Sequence, residues 1–413
     1  MSVDPGGDEI EEGLLEARGD EIEEGLPEAR GDEIEIVQTV TYQDEFGYRH
    51  LHGLLTNTAD YSVGGFALEV LVGGEQVAEA DSDGAYSIAP GAVFPFNARL
   101  PQTVTDLDDL EVNVINIQRG LQDPVEMEII QSKMKSADGG IVTLVGIVQN
   151  NGSSAGLIYS ARAAVYASDG ELITTAQCQV CPGYLLPGEE APVQFLIYGH
   201  PPSAAIAKNE IFIAAEEAVT VAGLAIDFNE PVHSYTDPAG RFHLLGDLQN
   251  NSDIVYSLAL TGTFYDQNGE IVGAAAYKLP AYSLPGETSP YEFVVSDPLD
   301  SIADWFLRIE LARTGEFRTP VFLLVHNAGD LIKNQYQWTV AGNTVNDTGQ
   351  TLRMVTVVVG IRESGTGKLV GLAHYIAAGE LPPGEALNYT VDIYPDPAFD
   401  PANLEEFVLL LGE

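Results

Sequence analysis

Short apolar runs alternate with polar residues along most of the chain, and clusters of Gly, Pro, Asn and Asp separate them. Alternation at period two, as at Ile34, Ile36 and Val40 or around Phe306 and Ile309, predicts half-buried β-strands. No segment reads as a long amphipathic helix. The segments TDLDDL (105–110) and DPLDSIADW (297–305) each predict one turn of helix before a strand, with Trp305 capping a core edge.

The strand pattern recurs with a period near 96 residues. A G-x-x-x-N anchor closes an apolar run four times: HLHGLLTN (Gly53, Asn57), TLVGIVQN (Gly146, Asn150), HLLGDLQN (Gly246, Asn250) and TVAGNTVN (Gly342, Asn346). The glycines are spaced by 93, 100 and 96 residues, which marks an internal repeat. A strand and a polar turn precede each anchor. A second strand follows it and ends in a Gly turn, as in VLVGGEQVA, AVYASDGELI, TFYDQNGEIV and VGIRESGTGKLV. Next comes a Pro-Gly pair, at Pro90-Gly91, Pro187-Gly188, Pro285-Gly286 and Pro383-Gly384. Apolar strands close the copies: LEVNVINI, EIFIAA, WFLRIEL and FVLLL.

Each marker has a physical role. Gly inside a strand permits a bulge or a close backbone approach. An Asn at the strand end can bond its own backbone and tolerates positive φ. Pro then Gly presets the two central positions of a type II turn. Short strands with turn signals at this spacing predict all-β sandwiches.

The run GDLQNNSDIVYSLALTGTFYDQNGEIVGAAAYKLPAYSLPGETSPYEFVV, centred on Phe264-Tyr265-Asp266, resembles the FxLYD-type domain. The second copy keeps Asn150, Tyr166, Gly170 and Pro187-Gly188-Glu189 without the Phe-Tyr-Asp triplet, and the first has Ala92 where the others have Glu. The resemblance covers roughly residues 31–413. It implies immunoglobulin-like sandwiches of bacterial and archaeal proteins that lie outside the cytoplasm, with no catalytic residues to carry over. The expected architecture is therefore all-β: four tandem immunoglobulin-like β-sandwich domains at 31–119, 120–217, 218–312 and 313–413. An acidic arm at 1–30 precedes them.

That arm reads GDEIEEGLLEAR, GDEIEEGLPEAR, GDEIEI over residues 7–36. Gly every sixth residue and Pro27 oppose a helix, and a net −11 from Asp8 to Glu35 favours an extended, self-repelling segment. Its third copy runs straight into the first strand. The duplication also writes Arg18-Gly19-Asp20 and Arg30-Gly31-Asp32, tripeptides of the integrin-ligand type that one event explains.

Charge narrows the functions. The chain carries 62 Asp+Glu against 18 Lys+Arg, a net charge of −44. That excludes ordinary electrostatic binding to nucleic acid and opposes docking on anionic lipid. No stretch approaches the ~18 apolar residues of a membrane span. The opening MSVDPGGDEIEEG shows no signal peptide, so an extracellular or cell-surface location rests on the resemblance.

Candidate chemistry is sparse. Cys178 and Cys181, in QCQVCPG, are compatible with a local disulfide, with two free thiols, or with half of a redox or metal site. Asp81-Ser82-Asp83-Gly84 resembles the opening of a calcium loop, making Asp81 and Asp83 weak calcium candidates, but no downstream bidentate Glu follows. The seven histidines lack any clustered ligand spacing; His50 and His243 hold matching places before the anchor and read as strand-surface residues. No nucleophile elbow or phosphate loop stands in a strand–turn–helix context. No cofactor is expected beyond the weak calcium site.

These readings favour a non-enzymatic extracellular structural or interaction protein: a spacer, an adhesin stalk or a filament-forming subunit. The alternative is a surface module for a ligand or carbohydrate, using Tyr and Trp faces. Partners would be other surface proteins, or further copies joined head to tail by strand addition through the arm. If the arm joins copies, mass by light scattering should rise with ionic strength or calcium, and deleting residues 1–33 should abolish the rise. Monomers of both forms at every salt would reduce the arm to a tether.

Overall fold

The computed structural model describes residues 33–43, 47–81, 88–104, 110–120, 123–136, 141–198, 206–218, 224–296, 298–314, 322–334 and 337–413. The acidic arm at 1–30 and Asp83 lie outside these residues. The described chain is all-β, apart from a 3-10 turn at Pro401–Asn403 and 3-10 geometry at Glu33 just before the first strand. Strands collect in four successive packing groups, each around its own buried apolar cluster.

The first group comprises β1 (Ile34–Gln43), β2 (Arg49–Asn57), β3 (Val63–Val72), β4 (Glu75–Asp81), β5 (Val93–Leu100) and β6 (Leu110–Arg119). The second comprises β7 (Met127–Ser136), β8 (Val142–Asn150), β9 (Gly156–Tyr166), β10 (Leu172–Val180), β11 (Tyr184–Leu185), β12 (Glu190–Ile197) and β13 (Lys208–Glu217). The third holds β14 (Ile226–Thr236), β15 (Phe242–Asn250), β16 (Tyr256–Tyr265), β17 (Ile271–Lys278), β18 (Thr288–Val295) and β19 (Asp304–Thr314). The fourth holds β20 (Phe322–Leu324), β21 (Asn327–Lys333), β22 (Trp338–Val345), β23 (Leu352–Glu363), β24 (Leu369–Leu381), β25 (Ala386–Ile393) and β26 (Leu404–Gly412).

Every pairing between these strands is antiparallel. Sheet orders repeat: β1-β2-β5 with β4-β3-β6, β14-β15-β18 with β17-β16-β19, and β21-β22-β25 with β20-β26-β23-β24. In the second group β10 pairs first with β9 and then with β12, so the two layers merge into one seven-stranded sheet.

The anchor glycines occupy the same place in β2, β8, β15 and β22, and each faces its cluster. A Cβ there would meet the ring of Phe96 at Gly53, Ile211 and Val193 at Gly146, Tyr291 at Gly246 and Tyr389 at Gly342. Four of these five neighbours sit directly opposite on the paired strand. The glycine is the space into which its cross-strand partner leans.

The anchor asparagines are fully buried: Asn57, Asn150, Asn250 and Asn346. Each Nδ2 donates to the carbonyl four residues on, at Tyr61, Ser154, Ile254 and Gln350. It also donates to a distant carbonyl, at Ile88, Leu185, Ser283 and Leu381. Each Oδ1 accepts the N–H two residues on. The Asn carbonyls in turn accept from Gly91, Gly188, Gly286 and Gly384 of the Pro-Gly turns. Those glycines have φ between 74° and 82°, as the second central position of a type II turn requires. The anchor Asn bonds its own backbone without using the positive φ it could tolerate; among described non-glycine residues Asn116 alone adopts one.

Two further expectations change. Residues 298–303 form no helical turn, and Asp304-Trp305 already belongs to β19, where Trp305 packs against the third cluster. Phe306 is on a strand but 55% exposed, facing away from that cluster. Of TDLDDL only Leu110 is described, as the first residue of β6.

Asn250→Ala should cost about 2–4 kcal/mol in equilibrium unfolding, because it strands buried carbonyls and an amide together. The same burial predicts that, in a glycosylating secretory host, the sequons at Asn250 and Asn346 stay empty. Only the exposed Asn151 and Asn388 should carry sugar, which mass spectrometry of peptides reads directly.

Candidate functional site

Strand alternation decides what lies between the groups. The anchor Gly points inward, so the residues flanking it point outward, and these flanks make the joints. They are His52 and Leu54, Val145 and Ile147, and Leu245 and Asp247. Each time the outer face of the anchor-bearing sheet packs on the following group's other sheet.

At the first joint Leu54 packs with Ala164, Tyr166 and Leu172. His52 Nδ1 accepts the Thr175 N–H at 3.1 Å, and Arg162 donates to Asn97 Oδ1 at 2.7 Å. The Tyr42 and Thr174 hydroxyls lie 3.4 Å apart. Burial chiefly, then the positive charges of His50 and Arg162, lower the His52 pKa to about 3. Protonation at Nδ1 would set a proton against the Thr175 N–H.

At the second joint Val145 and Ile147 pack with Ile271. Gln131 and Gln194 side-chain oxygens accept the N–H groups of Ile271 and Ala274, at 3.0 and 3.1 Å. Arg308 donates to the carbonyls of Tyr184 (2.6 Å) and Glu190 (3.0 Å), while Glu310 Oε2 accepts the Gly183 N–H at 3.1 Å. Arg308 Nε lies 3.0 Å from Glu310 Oε1, which also accepts the Thr261 hydroxyl. Burial pushes the Glu310 carboxyl above its ordinary range, against the pull of Arg308.

At the third joint Leu245 packs with Val358, Leu369 and Leu372. Arg362 grips Asp247 with both terminal nitrogens, each at 2.8 Å. His233 Nε2 lies 2.9 Å from Asp396 Oδ2, and burial lowers the His233 pKa against the opposing pull of that carboxylate. His243, expected at the surface, is buried between Asp237 and Glu292 and stacked on Tyr235 at 4.6 Å. His50 stacks on Tyr42 at 5.2 Å.

Cys178 and Cys181 are bonded to each other, with Cα atoms 5.8 Å apart. Asp81 ends β4 with its backbone opposite Ala67; its side chain and Asp83 lie outside the described residues. Among the described residues no cluster of three or more His, Cys, Asp or Glu is placed to hold a metal. A cleft of about 560 Å³ opens beside the second joint, lined by Phe306, Tyr265, Arg308, Glu189 and Glu190 among others. Among the described residues no helix is long and apolar enough to cross a membrane.

Sequence reasoning missed these joints. Its available signal was the pair of residues beside each anchor Gly, which are bulky or charged in three copies and Ala341 and Asn343 in the fourth.

No family model and no curated protein matches the chain. Among solved structures, it is similar to a beta-glucuronidase from glycoside hydrolase family 2 at 7% identity and a TM-score of 0.15. The match covers 82% of this chain and spans 31% of that one. At that score the likeness assigns neither fold nor activity.

The sign of the His52 shift gives a pH test. In the folded chain His52 holds fewer protons than in the unfolded chain between its ordinary pKa of 6.5 and about 3. Stability contributed at this joint is therefore complete above pH 6.5 and lost as pH falls through that window. The urea midpoint of the wild type should drop more steeply there than that of His52→Asn, whose amide oxygen can accept the same N–H without titrating.

Proposed function

We propose that this chain is a non-enzymatic structural protein of the cell surface or extracellular space. In this reading the four packing groups are tandem immunoglobulin-like sandwiches, coupled by their joints into a spacer of defined length. The observation that carries it is the recurrence of one joint. Three times the same pair of faces meets, through an apolar contact next to the anchor Gly and hydrogen bonds or ion pairs around it. A linker of flexible domains needs no such pairing.

The second reading, a surface module for a ligand or carbohydrate, draws support from the cleft beside the second joint and its exposed Phe306. Soaking or titrating with saccharides tests it. The spacer reading makes a dimensional demand. Two sheet layers per sandwich at about 10 Å per layer set the outermost sheets about 70 Å apart. Small-angle scattering of the described body should fit one rigid particle whose dimensions hold from low to molar salt. A profile that requires independently moving domains would overturn the reading.

A further inference from the structure

β10 ties the second group to both of its neighbours. Thr174 and Thr175 meet Tyr42 and His52 of the first group. Three residues later, at Cys178, the strand leaves β9 and pairs with Phe195 of β12, with an irregular register before Val180. The disulfide to Cys181 sits at this crossing. Pro182 follows, and then the segment that the third group grips: Gly183 by Glu310, Tyr184 and Glu190 by Arg308. The disulfide thus closes a tight ring at 178–181, immediately before the segment on which part of the second joint is built.

We propose that Cys178–Cys181 is an exchange site for a dithiol, and that its reduction loosens the Gly183–Glu310 edge of the second joint. Cys181 is exposed, whereas Cys178 is half-buried and packs against the second cluster. The thiolate of an incoming dithiol attacks Cys181 Sγ, breaks the S–S bond and expels Cys178 as thiolate, which takes a proton. The second thiol of the reductant then attacks the mixed disulfide, freeing Cys181. Two electrons pass from the dithiol, which leaves as its own disulfide, and the protein gains two thiols. With the crossing unpinned, Gly183 can leave Glu310, while Asn150 and β9 still hold Leu185 and Gly188. Glu310 then regains water, and its carboxyl returns toward its ordinary range.

This deepens the spacer reading and rests on it, since only a rigid joint can be loosened. The test is hydrogen exchange on the full chain, oxidised and after treatment with dithiothreitol. Thiol titration should count no thiols before treatment and two after it. The Gly183 amide should then exchange at least tenfold faster, while the Gly384 amide, which bonds Asn346 in the fourth group, should not change. A Cys178→Ser/Cys181→Ser variant should show the fast Gly183 exchange without reductant and ignore its addition. Two thiols in the untreated protein overturn the proposal. So does unchanged Gly183 protection after full reduction, or a reductant response in the double variant. Scattering of the oxidised protein decides the spacer reading separately, so the two failures are distinct.

Discussion

One buried amide organises each packing group. The Asn at the end of the anchor strand has no water to turn to, so every polar atom of its side chain must find a partner inside the protein. It finds them in the loop just ahead and in a carbonyl 31 to 35 residues later, while its own carbonyl receives the Pro-Gly turn. A local strand end is thereby bound to a distant turn, and the two sheets enclosing the core are fixed in relative register. The anchor Gly four residues earlier serves the same closure. It lets Phe96, Val193, Tyr291 or Tyr389 lie across the strand instead of beside it.

The same strand also explains how the groups meet. Because alternate residues face opposite sides, an inward glycine obliges its two neighbours to face outward. Apolar bulk at those places would be a liability on an isolated sheet and becomes the joint when another group covers it. Open sheet edges pose a related problem, and only six lysines exist to guard them. The chain uses bulges instead. The edge strands β1, β7, β14 and β21 each shift register against the anchor strand, at Ile36/Gln38, Ile129/Gln131, Asn229/His233 and Ala328/Leu331. A bulged edge offers a poor template for further pairing.

Much of this is legible in the amino-acid sequence alone. The G-x-x-x-N and Pro-Gly markers locate strands and turns because they encode backbone requirements that local sequence must meet. The partners of the Asn are not legible, since they lie across the group and are main-chain carbonyls that any residue supplies. His243 misleads for a similar reason. Its place on the strand is visible, but the carboxylates of Asp237 and Glu292 that make burial tolerable come from other segments. The joints escape notice because a residue beside the anchor looks like ordinary alternation until its opposite face is known. Asp-rich punctuation suggests a helical turn in 297–305, and the strand pairing of β19 with β16 overrides that local preference.

The unequal flanks of the anchor glycines bear on how such a chain can change over evolutionary time. A repeat born by duplication begins with identical faces and could be copied or reordered freely. Here the flanks have diverged into His-Leu, Val-Ile and Leu-Asp pairs, each fitted to a different successor. Asp247 needs Arg362, and Ile147 needs the space beside Ile271. Exchanging two copies would bury a carboxylate without its guanidinium, at a cost larger than the apolar contact returns. The order of the repeats is thus written into two side chains per copy, and lineages that shuffle them must rewrite those positions first.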